Sequence, residues 1–273
     1  MTWTPRQRAM LEEMGLRLWA PAAEPGVEPG SAKAPEEVRQ PAAAQAGKER
    51  TISGRGPSIA ARPPVLTRSE IRLGERPHGI ATMDWPALRD AVASCTACGL
   101  CRGRTNTVFG SGNLRARWMI VGEAPGEQED LRGDPFVGKS GQLLDNMLRS
   151  LQLTRDEGSP ARQVYIANTL KCRPPGNRNP EPGELAQCEP FLIRQIELVE
   201  PGVILAMGRF AVQALLRSSE PVGRLRGRVH RYHDVPLVVT YHPAYLLRNP
   251  LDKARAWDDL CLALDVARRG EAS

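Results

Sequence analysis

The chain has 273 residues, 41% of them apolar and 25% charged, with a formal net charge of +6. That composition excludes collagen-like, coiled-coil and wholly disordered chains, and the length exceeds one average domain without comfortably reaching two. No apolar run approaches the roughly 18–20 residues a membrane helix needs, and the N-terminus lacks the basic and apolar regions of a secretory signal. No membrane contact and a cytoplasmic location are therefore expected.

Residues 1–84 hold ten prolines among repeated Ala, Pro and Gly, with twelve Lys/Arg against ten Asp/Glu. Such a segment buries too little apolar surface to offset its ordering entropy, so 20–80 is expected to be a disordered linker. Residues 1–19 differ. Thr4-Pro5 suits an N-cap and first helical position, and Met10, Leu11 and Met14 share a face before Gly15. With Leu16, Leu18 and Trp19 beyond, this is either a frayed surface helix or a peptide that docks a partner. It is loosely similar to the N-terminal peptide of the psi subunit of the bacterial clamp loader, which implies a replication factor as that partner.

From Trp85 the pattern becomes alternating strands and helices. A buried strand is predicted at 118–121, a helix at 140–151 and a second strand at 164–170. A helix at 184–199, kinked at Pro190, then leads to a third strand at Val203–Met207. Segments 228–232 and 237–241 read as a hairpin whose second arm enters the core, and 251–267 as a closing amphipathic helix. Short apolar strands alternating with helices argue for a parallel sheet covered on both faces, with ligands bound beyond the strands' carboxyl ends. Polar residues collect there: Gly122-Glu123-Ala124 after the first strand, Asn168 to Cys172 where the second ends, His242 to Arg248 after the last.

Six cysteines stand at 95, 98, 101, 172, 188 and 261. In a reducing cytosol this grouping points to metal binding before disulfides. Cys95, Cys98, Cys172 and Cys188 offer four thiolates from two separated stretches, enough for a tetrahedral zinc or an iron–sulfur cluster, and the spacing does not choose between them. Cys101 forms a second CxxC and is expected to be a non-ligand. Cys261 is expected to be a small buried hydrophobe.

GEAPGEQED, PFVGKSGQLLD, YIANTLKCRPPGNRNP and YHPAYLLRNP, in this order, resemble the motifs of the family 4 uracil-DNA glycosylases, and the resemblance runs over about 85–267. It implies a three-layer α/β/α sandwich with a central four-stranded parallel sheet, following a disordered N-terminal extension. It also implies a structural [4Fe–4S] cluster on Cys95, Cys98, Cys172 and Cys188. The implied activity is release of uracil from single- or double-stranded DNA by base flipping, initiating base-excision repair in the cytoplasm beside the nucleoid, with the enzyme a monomer.

The same resemblance implies the site. Glu123 would hold the attacking water, and His242 would donate to uracil O2. Asn168 would pair with the O4 and N3–H edge, and Phe136 would stack on the base. Glu129 would line the C5 side, and Gly122 and Ala124 would complete the substrate pocket. Ala124 stands where family 1 enzymes carry a water-activating aspartate, so that group is absent. Leu246 or Leu247 would enter the DNA stack while Arg248 meets phosphate. Arg173 and Arg178, and likewise Arg224, Arg226 and Arg228, stand in basic loops able to follow a backbone. The alternative is a non-catalytic iron–sulfur module of the same fold. Against it, a binder needs neither the pocket asparagine nor this histidine.

Overall fold

The structure, a computed structural model, describes Glu13 and residues 74–270. The expected helix at 1–19 and the linker up to residue 73 otherwise lie outside the described residues. Residues 74–84, expected to finish the extension, belong instead to the folded domain. The Gly74 N–H donates to the Thr96 carbonyl at 3.1 Å, and Ile80 is buried. Asp84 caps helix α1 (Trp85–Ala93) by accepting from the Ala87 N–H at 3.0 Å. A buried isoleucine, a capping carboxylate and main-chain hydrogen bonds tie down a segment whose composition resembles a linker.

Six strands form one sheet: β1 (Ser111–Gly112), β2 (Trp118–Gly122), β3 (Val164–Asn168), β4 (Val203–Met207), β5 (Val229–Tyr232) and β6 (Val235–Thr240). Their spatial order is β1-β3-β2-β4-β6-β5. The inner four are parallel, and the two edge strands are antiparallel. The expected four-stranded parallel centre is present, extended to a mixed sheet by β1 and β5.

Every residue of β2, β3 and β4 is buried, as a sheet covered on both faces requires. The two-residue strand period divides the core. Trp118 and Ile120 face one layer, with Leu144 of α3 (Lys139–Ser150) and Leu260 of α8 (Lys253–Arg269). Met119 and Val121 face the other, with Ile196 of α4 (Pro182–Val199) and Val212 of α5 (Arg209–Leu216). Ile120 is wholly buried, so truncating it to alanine should cost about 2–5 kcal/mol.

Pro190 lies inside α4 and cannot donate to the Ala186 carbonyl one turn back. Arg76, from the segment before α1, supplies that bond at 3.4 Å. Leu251, expected in the last helix, stands in the turn before it and is 93% exposed. Two short helices occupy what read as loops: α2 (Glu127–Arg132) after β2, and α7 (Pro243–Arg248) after β6, with α6 (Val222–Leu225) between α5 and β5. None of the helices among the described residues is long and apolar enough to cross a membrane.

Candidate active site

Because the inner strands are parallel, their carboxyl ends share one edge of the sheet. Gly122 is paired in register with Asn168, and Met207 with Thr240. The residues that follow open into a cleft of about 1020 Å³ whose walls include Glu123, Ala124, Phe136, Asn168, Arg209 and His242. The carboxylate and the imidazole that sequence reading paired thus line the same cavity.

Glu123 is fixed through its main chain. Its carbonyl accepts from the Leu170 N–H at 3.1 Å and from the Thr169 hydroxyl. Burial pushes its carboxyl up to about 7, against the opposing pull of Arg209 and Arg248. His242 occupies the N-cap of α7, where its Nδ1 accepts from the Ala244 N–H at 3.1 Å. Burial, helped by the Arg248 charge and resisted by Glu129, lowers the imidazole to about 4. The ring is therefore neutral at pH 7, and with Nδ1 committed as an acceptor its one proton sits on Nε2.

Asn168, at the end of β3, is 2% exposed, and its Oδ1 has no hydrogen-bond partner. A buried unpaired acceptor is uncommon in folded proteins and marks a place where a donor is missing. Phe136 lies against His242, ring centroids 5.3 Å apart and planes inclined by 26°. Its φ of 55° is left-handed, a strained conformation for a bulky residue and of the kind that collects at functional sites. Gly141 permits it, since a Cβ there would lie 1.7 Å from the Phe136 carbonyl oxygen. At Gly122 a Cβ would meet Asn168 Oδ1 at 2.4 Å and Phe136 Cζ at 2.6 Å, so this glycine makes room for both side chains without forming part of the wall itself.

Other expected residues have different surroundings. Glu129 lines the cleft, but its carboxylate accepts from the backbone N–H groups of Gly126, Val137 and Gly138 at 3.1, 2.9 and 3.1 Å. It ties the loop carrying Phe136 to α2 and is not one of a solvated acidic run, for it and Asp130 are both buried. Leu246 is wholly buried, which removes it as a wedge; helical spacing turns it to the core and leaves its neighbour Leu247 43% exposed at the cleft rim.

Arg178 lies at the cleft but is paired with Glu184 at 2.6 and 3.0 Å, and Arg173 is engaged by Asn177 at 2.8 Å. Arg226 bonds the fully buried Asp259, so it braces the fold. Arg248 is exposed. Sequence reading missed Arg209. It follows Gly208 at the end of β4, and that position beyond a parallel strand was the available signal.

Cys95, Cys98, Cys172 and Cys188 come together around a second, small cavity, which Cys101 also lines. Cys261 is half-buried in α8, away from them, packed against the core. Burial pushes the Cys172 thiol up to about 11 and Cys188 to about 12. Arg104 donates to Cys172 Sγ and the Lys171 N–H to Cys188 Sγ, each at 3.2 Å. Soft donors from separate segments, already receiving N–H···S bonds, fit a metal-bound thiolate set. No three His, Cys, Asp or Glu among the described residues are grouped so as to hold a single metal ion.

The model of the uracil DNA glycosylase superfamily matches residues 109–261. A Type-4 uracil-DNA glycosylase of Archaeoglobus fulgidus is 42% identical over 167 residues, covering 58% of this chain and 81% of that protein. Its counterpart in Thermotoga maritima is 43% identical over 168 residues, covering 61% and 84%. That of Pyrobaculum aerophilum is 39% identical over 188 residues, covering 66% and 93%. By both kinds of likeness, the chain belongs to the uracil DNA glycosylase superfamily and, within it, to the type-4 family.

Proposed function

We propose that the chain hydrolyses the N-glycosidic bond of uracil in DNA, leaving an abasic site in an intact strand and so initiating base-excision repair. The observation that carries this reading is the unpartnered Oδ1 of Asn168 at the cleft. Uracil N3–H is the donor that this oxygen lacks, while the asparagine amide donates to O4. Cytosine presents the inverse pattern and would leave both groups unpaired, at about 1–3 kcal/mol each.

The base must leave the stack to reach these groups, and Phe136 offers it an aromatic face. As the C1′–N1 bond breaks, its electron pair departs with uracil and charge grows on O2. The neutral His242 meets that charge with its Nε2 proton, a fixed dipole already in place. Ionised Glu123 faces the cationic sugar and orients water. The water oxygen bonds C1′, and its proton passes to the carboxylate, whose value near 7 suits a base at neutral pH. Ala124 adds no second carboxylate.

Cys95, Cys98, Cys172 and Cys188 are assigned to a [4Fe–4S] cluster, on the strength of the type-4 kinship and the four soft donors around one cavity. When bound, that cluster cross-links the segment after α1 to the segment after β3 and to α4, a structural duty. At the DNA, exposed Leu247 is the wedge and Arg248 the phosphate contact. Glu129 shapes the C5 side by fixing the Phe136 loop. The same reading has the enzyme working as a monomer in the cytoplasm, with residues 1–19 offered to a replication factor, on the strength of the sequence alone.

The test is incubation of the purified protein with labelled single- and double-stranded uracil oligonucleotides, followed by alkali. Strand cleavage at uracil, and none at cytosine or thymine, is expected. Release of no free uracil from either substrate would overturn the reading.

A further inference from the structure

A single pyrimidine fills only part of the cleft. Its volume of about 1020 Å³ stands at the top of the range for sites that enclose a whole drug-sized ligand, about 300–1,000 Å³. The walls also include Tyr241, Tyr245 and the turn of Pro221, Val222 and Gly223, and the chemistry described so far gives none of them a task. Tyr241 follows the last residue of β6. Tyr245 stands in the first turn of α7, its N–H donating to the His242 carbonyl at 2.9 Å. The two rings are stacked, centroids 5.0 Å apart and planes inclined by 20°, and each is half-buried with part of its surface on the cleft.

The pair is held in place. The Tyr245 hydroxyl donates to Asp252 Oδ2 at 2.7 Å, and Asp252 Oδ1 pairs with Arg255 at 3.1 Å. The Arg226 guanidinium lies over the Tyr241 ring, 5.8 Å from its centroid, and is itself anchored on buried Asp259. With its hydroxyl engaged, Tyr245 has ring surface to offer the cleft. One turn further along α7, Arg248 lines the same cleft and is exposed. A fixed aromatic shelf beside a cation matches a nucleotide, because every base has a π-face and the phosphate that links it to its neighbour is an anion.

We propose that Tyr241 and Tyr245 form a stacking subsite for the unpaired base next to the flipped uridine, so that the cleft takes two consecutive nucleotides of a single strand. This rests on the uracil reading above and narrows its substrate class. The two tyrosines flank His242 along the chain, which sets the shelf beside the imidazole that meets uracil O2. In a duplex the neighbouring base is held by its own partner and stack; in a single strand it is free to lie on the shelf.

The experiment measures uracil release from short single-stranded oligonucleotides in which the nucleotide on one side of the uridine, or on the other, lacks its base. Removing the base on one side is expected to raise KM by about five- to hundredfold, the worth of one base–aromatic stack, and on the other side to change it little. Tyr245→Phe, which keeps the ring, should show the same sensitivity. Tyr245→Leu should bind the intact oligonucleotide as weakly as the wild type binds the one lacking that base, and no longer distinguish the two. Tyr241→Leu supplies the same comparison should Tyr245→Leu fail to fold. Wild-type release that is indifferent to both neighbours overturns the proposal, as does a leucine variant that keeps the full sensitivity. A loss confined to kcat, equal on all the oligonucleotides, would mark the tyrosines as merely structural and overturn it too. A protein that releases uracil with no such dependence refutes the subsite alone, whereas one that releases none refutes the function.

Discussion

The cleft and the cysteine cavity are joined by five residues, 168–172, yet they treat polar atoms in opposite ways. In the cleft, groups are fixed but left open. Asn168 Oδ1 has no partner, and His242 has Nδ1 committed and Nε2 free to donate inward. Around the cysteines, sulfurs already receive N–H groups from Arg104 and Lys171. The cleft is built for a visitor and the cavity for a resident: one leaves hydrogen bonds unmade until a ligand arrives, the other makes them in advance.

The contrast can be broken from the cleft side first. His242→Ala should reduce uracil release by about 10²–10³-fold, as loss of one preorganised donor to a developing oxyanion does. Absorbance from the cysteine pocket should be unchanged, and loss of colour together with activity would show that the two regions are not separable in this way. Next, Asn168→Asp should cost about 10–100-fold toward uracil, through the unpaired groups it leaves at O4. The check is single-turnover release, with binding to undamaged DNA as the control.

From the other side, Cys188→Ala should bleach the protein. It should also lower the melting temperature by about 10 °C, the shift that several kcal/mol produces in a domain of this size. Whatever uracil release survives should keep the wild-type pH profile.

That profile sharpens the comparison. As the proposed base Glu123 must be ionised, so kcat/KM should rise with pH to a plateau above about 7, with His242 neutral throughout that range. The sign for stability is opposite. A carboxyl raised by burial contributes stability below its unfolded value near 4.5 that is lost as pH rises through about 7. Glu123→Gln should therefore abolish most activity yet stabilise the fold at pH 8, by about 1–2 kcal/mol after allowing for solvent in the cleft. Calorimetry at pH 5 and 8 separates the two effects. The smallest change expected is Leu247→Ala, which should slow release from duplex by about tenfold or less and leave single-stranded substrate unaffected.

Much of this was legible in the sequence. The strand cores at 118–121 and Val203–Met207, the placing of Glu123, Asn168 and His242 at or just beyond strand ends, and the four cysteines all follow from local patterns: a short apolar run, a turn that closes it, a fixed spacing of sulfurs. Such signals survive without neighbours because they are set along the chain. The short helices α2 and α7 were not visible, since six residues carry too little periodicity to distinguish them from a loop.

What only the tertiary structure decided concerns partners brought from far away. Glu129 accepts from three backbone amides, Arg178 pairs with Glu184, and Arg226 with Asp259, and none of these pairings is written in the motifs themselves. Leu246 turns inward while Leu247 turns out. The neutrality of His242 and the raised value of Glu123 are likewise absent from any motif, because burial raises the carboxyl against the pull of Arg209 and Arg248 and, with Arg248, lowers the imidazole. Residue type and order fix which chemistry is possible. Desolvation and long-range pairing, which exist only once the chain has closed on itself, fix which atoms remain available to perform it.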